Sequence, residues 1–345
     1  MSRRLKIFAA LTALALALPI AATLVRARIL APLTIPTEGM VLEVREGSSL
    51  TRVATTLKQQ GALPSARLFR IVGRMTGADQ RIRRGEYRLS AGQSMLDVLD
   101  QLQSGATIRY LVTLPEGIRL ADALALLRST EGIQPVLAGI DDPRLDDFTG
   151  EAPSAEGLFL PETYQYERDD TDLDILRQAH KLFEITLAEV WEQRDLGLPY
   201  DSPYEALIMA SIIEKETGVA EERAQIAGVF VRRLRRDMRL QTDPTVIYGL
   251  GDGFDGNLTR AHLRDENNEY NSYRRDGLPP TPIALAGRAA LEAAVRPAAG
   301  DDLYFVARGD GTHEFNATLA GHEDAVRRYQ LQRRENYRST VEREK

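Results

Sequence analysis

The sequence predicts an α+β protein, and three observations carry that reading. Short apolar strand candidates alternate with helical spacings through the first third of the chain. Long amphipathic helices follow between residues 172 and 236, and two short strands form a hairpin near residues 303–315. A length of 345 residues is enough for two or three domains that each bury a core. The expected divisions are 1–28 for a cytoplasmic tip and transmembrane helix, 29–40 for a linker, and 41–110 for a small α/β subdomain. A mixed α+β domain is expected at 111–330 and a charged helix or tail at 331–345.

Taken in order, Ile7 to Val25 is an uncharged run of Ala and Leu, 19 residues long. At 1.5 Å per residue it crosses the ~30 Å hydrocarbon layer or nearly so. Arg3, Arg4 and Lys6 precede it, which places the amino terminus in the cytoplasm and the rest outside, as a single-pass protein of the cytoplasmic (inner) membrane. Arg26 and Arg28 on the far side weigh against this orientation. A cleaved signal peptide is the competing reading, with Ala15-Leu16-Ala17 as its recognition residues. The length of the run favours retention.

Composition excludes several classes of function. With 44 basic and 50 acidic residues the net charge is −6, and five basic residues but no acid fall within residues 1–28. Nucleic acid needs a basic surface, so it is not an expected partner. There is no cysteine, hence no disulfide, thiol nucleophile or thiolate metal site. The four histidines, His180, His262, His313 and His322, are scattered without a His-Glu-x-x-His pattern, and no metal or other cofactor is expected.

After the Pro- and Gly-punctuated stretch Thr34–Gly39, Val41–Val44 reads as a strand. Gly47 then precedes Leu50, Val53 and Leu57 at helical spacing. The pattern recurs: Gly92 precedes Met95, Val98 and Leu102, and Gly117 precedes Leu120, Ala123 and Leu127. A repeated strand–glycine–helix unit is a structural signal first, because a glycine at a sharp turn needs no function. The basic segment Gln80–Arg88 reads as a solvated hairpin.

Residues 139–154 read as loop, followed by Glu156-Gly-Leu-Phe-Leu-Pro-Glu-Thr-Tyr-Gln-Tyr166. Phe159, Tyr164 and Tyr166 suit the faces of sugar rings, although aromatics beside a proline more often fill a core. Asp172–Leu198 is an amphipathic helix. The helix Tyr204–Gly218 that follows puts Leu207, Ala210, Ser211 and Glu214 on one face. That face points inward and takes Glu214 with it, while Glu216, about 200° further round, reaches water. Gly218 stops the helix, so Glu214 lies in its negative last turn. Burial and that negative end both raise a carboxyl above its usual value of about 4.3, as a general acid requires. A glutamate in a last helical turn is more often simply solvated.

A second helix, Ala220–Arg236, buries Ile226, Val229, Phe230 and Leu234 and carries Arg232, Arg233, Arg235 and Arg236, read as a solvated basic face, with contact to acidic wall polymer or lipid headgroups as the additional reading. Pro244 biases Asp243 out of the α region, so Arg239–Pro244 reads as a loop that can fold back over the glutamate helix. Gln241 there brings an amide suited to sugar hydroxyls or acetamido groups. Asp243 is either a second carboxylate or a turn residue. Asn271 stands between Tyr270 and Tyr273.

The segments Ala210–Thr217, Arg239–Tyr248 and Tyr270–Tyr273 with Gly277–Pro280 closely resemble, in the same order, the signatures of the endolytic murein transglycosylases, the YceG-like family. The likeness runs from about Leu111 to the end of the chain and more loosely before it. Glu156–Tyr166 is similar to the family's cleft-lining segment. His313, Phe315, Thr318 and His322 match its last motif, with Gly321 standing where many relatives have Glu. Val44–Ala54 resembles the opening of a LysM module, which grips GlcNAc-containing glycans.

The resemblance implies a lysozyme-like helix carrying the catalytic glutamate, read as Glu214. It also implies substrate contacts from Gln241, Asp243, Tyr270, Asn271, Tyr273, Glu156 and Tyr164. The implied reaction is non-hydrolytic cleavage of the MurNAc-β-1,4-GlcNAc bond in nascent peptidoglycan strands, leaving 1,6-anhydroMurNAc ends and limiting strand length. No cofactor is implied. The implied partners are glycan strands, the membrane through the amino-terminal helix, and peptidoglycan synthases. Two alternatives stay open: a muramidase using Glu214 with Asp243, and a non-catalytic wall-binding scaffold.

Overall fold

The computed structural model describes residues 3–331; the charged tail expected beyond them lies outside that range. The chain divides into two compact units, Met1–Tyr110 with Glu167–Asp169, and Leu111–Tyr166 with Asp170–Lys345.

The first unit comprises α1 (Arg3–Leu30), β1 (Met40–Val44), α2 (Leu50–Gln59), α3 (Ala66–Met75), β2 (Gly85–Leu89) and α4 (Met95–Ser104). β1 and β2 pair antiparallel from Met40↔Leu89 to Val44↔Gly85. Alternation sends Leu42, Val44, Tyr87 and Leu89 inward, onto Val53, Leu57, Phe69, Val72, Val98 and Leu102. Gly47 and Gly92 take left-handed φ values of 69° and 91°, a turn that a side chain would strain. Ser49 and Ser94 then cap α2 and α4, Ser94 in a reciprocal box with Asp97. The third glycine of the repeat, Gly117, is also left-handed.

α3 has no counterpart in the sequence reading. It turns Phe69 and Val72 inward, and Gly73 admits Leu50 so closely that a Cβ would lie 2.5 Å from Leu50 Cδ2. The basic stretch expected as a hairpin instead leads into β2. Among the described residues no helix is both long and apolar enough to cross a membrane, so the expected transmembrane helix finds no support in α1, which also contains Pro19.

In the second unit β3 (Tyr110–Thr113) leads to α5 (Leu120–Ser129) and the short α6 (Asp146–Thr149), and β4 (Thr163–Tyr166) returns to pair with β3. α7 (Asp172–Glu192), α8 (Pro203–Glu216), α9 (Arg223–Leu234), α10 (Asp243–Leu250), α11 (Arg260–Arg264) and α12 (Arg288–Val295) follow. The hairpin β5 (Tyr304–Ala307) and β6 (His313–Asn316), α13 (Leu319–Val326) and a short π-helical segment, Arg327–Leu331, close the described chain.

α8 is the centre of this unit. Every residue from Ala206 to Glu214 is buried, with α7, α9, α10 and α12 packed around it. Small residues on both partners, Ala206 and Ala210 against Ala290 and Ala294 of α12, belong to one core. A helix enclosed on all sides is apolar all round, which accounts for Ile208, Met209, Ile212 and Ile213 standing off the predicted inward face.

One expectation is corrected at α10. The helix begins at Asp243 despite Pro244, because proline in the first turn removes only an N–H that had no helical partner. The loop that precedes it is therefore shorter than predicted, and its end is held by a helix start.

Candidate active site

The last turn of α8 presents two carboxylates two positions apart, hence on opposite sides of the helix. Glu214 is the inward one, 3% exposed. The Gly287 N–H donates to its Oε2 at 3.1 Å, and Arg223 Nη2 lies 3.6 Å from its Oε1 and 3.5 Å from Glu116 Oε2. These contacts tie the end of α8 to the start of α9 and the segment before α12. Between the two carboxylates, Lys215 Nζ donates to the Gly117 carbonyl at 3.0 Å.

Glu216 meets the loop into α10. The Thr242 hydroxyl donates to its Oε1. Part of the residue reaches the surface, but the carboxyl is surrounded by protein. Burial pushes it up to about 7; the Thr242 hydrogen bond opposes that rise and the Asp243 charge adds to it. The expectation that Glu216 reaches water holds for part of the residue, while its carboxyl meets the Thr242 loop at the last turn of α8.

That loop is held from two directions. Ser272 accepts from Thr242 N at 2.9 Å, donates to Thr242 O at 3.2 Å, and lies 2.8 Å from the Thr245 hydroxyl. Behind it Arg233, 7% exposed, donates to the carbonyls of Leu303, Arg239 and Leu240 at 2.7–3.0 Å and to Gln241 Oε1 at 3.2 Å. Gln241 itself is exposed, with a left-handed φ of 53°. With its oxygen taken by Arg233, the amide end left for a ligand is the NH₂ donor. Asp243 is exposed and accepts from the Tyr273 hydroxyl at 2.6 Å; burial and that carboxylate hold the Tyr273 proton well above the usual phenol range. Glu216, Gln241, Thr242, Asp243 and Tyr273 thus converge.

The other expected contacts stand differently. Asn271 is fully buried. Its NH₂ donates to the carbonyls of Asp265 at 2.7 Å and His262 at 3.2 Å, while its oxygen accepts from Tyr273 N at 3.1 Å. It builds the turn that presents Ser272 and Tyr273 rather than facing a ligand. Tyr270 packs edge-on to Tyr248, centroids 4.8 Å apart, and its hydroxyl lies 2.9 Å from that of Thr281.

Glu156 is buried and accepts from Leu120 N at 3.0 Å and from the Tyr248 hydroxyl at 3.2 Å; burial pushes it up to about 7. It caps α5 in place of Arg119, which makes no side-chain cap. Tyr164 is buried, donates to the Leu160 carbonyl at 2.5 Å, and lines a separate groove. Of the trio expected to meet, Asn271 is engaged in its own turn, and Thr242, the neighbour of Gln241, bonds Glu216.

Two of these features had a readable signal. Arg233 lies seven residues after Ile226 and three after Phe230, on the inward stripe, so it was never on a solvated face. The uninterrupted apolar run through α8 announces a helix buried on every side. Thr242 carried no signal, since its role depends on where the loop folds.

Chemically, the arrangement offers a carboxyl that keeps its proton near neutrality, beside an ionisable carboxylate and an amide donor. Among the described residues no group of three or more His, Asp or Glu stands together as a metal site.

The profile of the YceG-like family matches residues 42–328. An endolytic murein transglycosylase of Bacillus subtilis (strain 168) is 32% identical over 311 residues, covering 84% of each chain. One from Streptococcus pneumoniae (strain D39) is 27% identical over 297 residues; the match covers 76% of this chain but 53% of the longer pneumococcal protein. The crystal structure of a yceG-like protein from Listeria monocytogenes superposes with a TM-score of 0.53 at 28% identity, over 84% of this chain and 99% of that one. With its mixed α+β architecture and a profile match over most of its length, the chain belongs to the YceG-like family.

Proposed function

We propose that the chain is a lyase-type enzyme, a lytic transglycosylase that cuts within peptidoglycan strands at the MurNAc-β-1,4-GlcNAc bond, with Glu216 as its proton donor. The observation that carries this reading is the Glu216 carboxyl, held near 7 and roofed by Thr242 beside Gln241 and Asp243. Support for the substrate comes from relatives that bear the name endolytic murein transglycosylase.

Glu216 gives its proton to the departing glycosidic oxygen as the C1–O bond breaks and positive charge develops on the ring. The resulting carboxylate takes the proton of the muramic 6-hydroxyl, whose oxygen closes onto C1 as the 1,6-anhydro ring. No water enters, because an intramolecular hydroxyl at high effective concentration replaces it. The Gln241 NH₂ is placed to hold a sugar carbonyl or hydroxyl, and the Asp243 carboxylate, fixed by Tyr273, opposes the developing positive charge. Glu214 serves as a buried anchor for the end of α8.

Asp243 beside Glu216 also favours a second reading, a muramidase in which it activates water. Mass analysis of products from the full chain and uncrosslinked glycan strands separates the outcomes. Anhydro ends are expected. Reducing ends one water heavier would establish the muramidase, and intact strands would leave only a wall-binding scaffold.

The paired strands β1 and β2 and the two helices between them, α2 and α3, support a LysM-like role in gripping glycan. Membrane anchoring rests on the uncharged run Ile7–Val25 alone; it would set the enzyme beside the synthases that extend the strands. The full chain should then resist alkaline extraction from membranes, and its release by carbonate would remove the anchor.

A further inference from the structure

A groove of about 780 Å³ lies in the second unit between α7, β4 and the start of α12. Its volume is that of a small-ligand site, and none of the residues that gather around Glu216 lines it. Its lining includes Glu116, Glu162, Tyr164, Thr186, Arg288 and Glu292. The lining is acidic on balance. Arg288 is engaged by Glu189 at 2.7 Å and by Glu292 at 3.8 Å, and Glu116 shares Arg223 with Glu214. Glu162 is exposed at the rim.

A second observation, independent of charge, points to a ligand. Thr186 is 1% exposed, lines the groove, and its Oγ1 has no hydrogen-bond partner. A buried hydroxyl left unpaired costs roughly 1–3 kcal/mol, which a bound donor or acceptor would recover. Apolar surface from Leu160, Leu182 and the Tyr164 ring completes the lining.

We propose that this groove takes an ammonium-bearing peptide, and, resting on the glycan reading above, that the peptide is the stem carried by the substrate's muramic sugar. The carboxylates supply charge complementarity for an amine, the apolar wall takes the aliphatic chain that bears it, and Thr186 pairs with a peptide amide or carbonyl. The location suits a substituent of the sugar being cut. Glu116, which lines the groove, contacts Arg223, which contacts Glu214 on the last turn of α8; Glu216 lies two residues on. The groove therefore adds to the site a means of distinguishing strands that still carry amine-bearing stems from stripped ones.

The test is calorimetric titration of the full chain with a synthetic stem tetrapeptide bearing a free side-chain amine, and with the same peptide N-acetylated at that amine. The free amine should bind at least tenfold more tightly. The exposed pair Glu162→Gln with Glu292→Gln should erase that preference, and Thr186→Val should weaken both peptides alike. Equal affinities for the two peptides, or a preference unchanged in the double variant, overturn the proposal. Glycan cleavage by the unaltered chain is scored separately on uncrosslinked strands that keep their stems. If that fails while the amine preference persists, the glycan reading falls and the peptide groove stands.

Discussion

Glu216→Gln should lower turnover on glycan strands by about 10³-fold while leaving the protein folded, as expected when a general acid worth 10²–10⁴ is removed. The amide can still accept the Thr242 hydroxyl, so the loop over the site keeps its support. Binding of strands should persist, and the loss should appear in kcat rather than KM. In the unaltered enzyme the donor is the protonated form, so the rate should fall as pH rises through about 7.

The same shift makes a stability prediction with a definite sign. The folded carboxyl, near 7, lies above its ordinary 4.5, so the folded state holds the proton over that interval when the unfolded chain has released it. The associated stabilisation is fully present below 4.5 and is lost as pH rises through 7. Glu216→Gln removes the titration, so the variant's Tm should gain on the unaltered protein between pH 5 and 8. Glu156, also raised to about 7, is common to both proteins and cancels in the difference. Retained turnover in Glu216→Gln, or a Tm difference flat with pH, would refute this assignment.

Elements were legible where periodicity is a local property. The three glycine-led helices begin at Leu50, Met95 and Leu120, each three residues after its glycine, because a left-handed turn and a buried stripe are both written in adjacent residues. The order of the site segments was legible too, through Gln241, Asp243 and Tyr273. Which glutamate they meet was not. A hydrophobic stripe says which side of a helix is driest, and Glu214 is indeed buried. It does not say that the opposite side will be covered by a loop 26 residues further along the chain. Asn271 shows the converse: an amide among tyrosines looks like a sugar contact, but a turn with carbonyls pointing inward claims both its donors first.

The second large effect separates the two carboxylates by a different measure. Glu214→Ala should destabilise the protein by about 3–5 kcal/mol, the usual result of removing one partner from a buried ion pair. For a unit of this size that is roughly a 6–20 °C fall in Tm. The cost arises because Arg223, 8% exposed with its Nε unpaired, loses the carboxylate at 3.6 Å and keeps only the partly exposed Glu116. The Gly287 N–H loses its acceptor as well. Pairing Glu214→Ala with Arg223→Met should recover part of the loss, so a double-mutant cycle should give a coupling of at least about 1 kcal/mol. Glu214→Gln, which retains an oxygen for Gly287, should fall between the unaltered protein and Glu214→Ala in Tm. Its kcat, measured well below its own Tm, should stay within about tenfold of the original, since only tightening of the α8 end is lost. The opposite pattern, an unmoved Tm with turnover abolished in Glu214→Gln and kept in Glu216→Gln, would transfer the proton to Glu214. An acid that gives up its proton in each cycle and a carboxylate that neutralises a buried guanidinium have incompatible needs, and the proposed mechanism assigns them to residues facing opposite ways on α8.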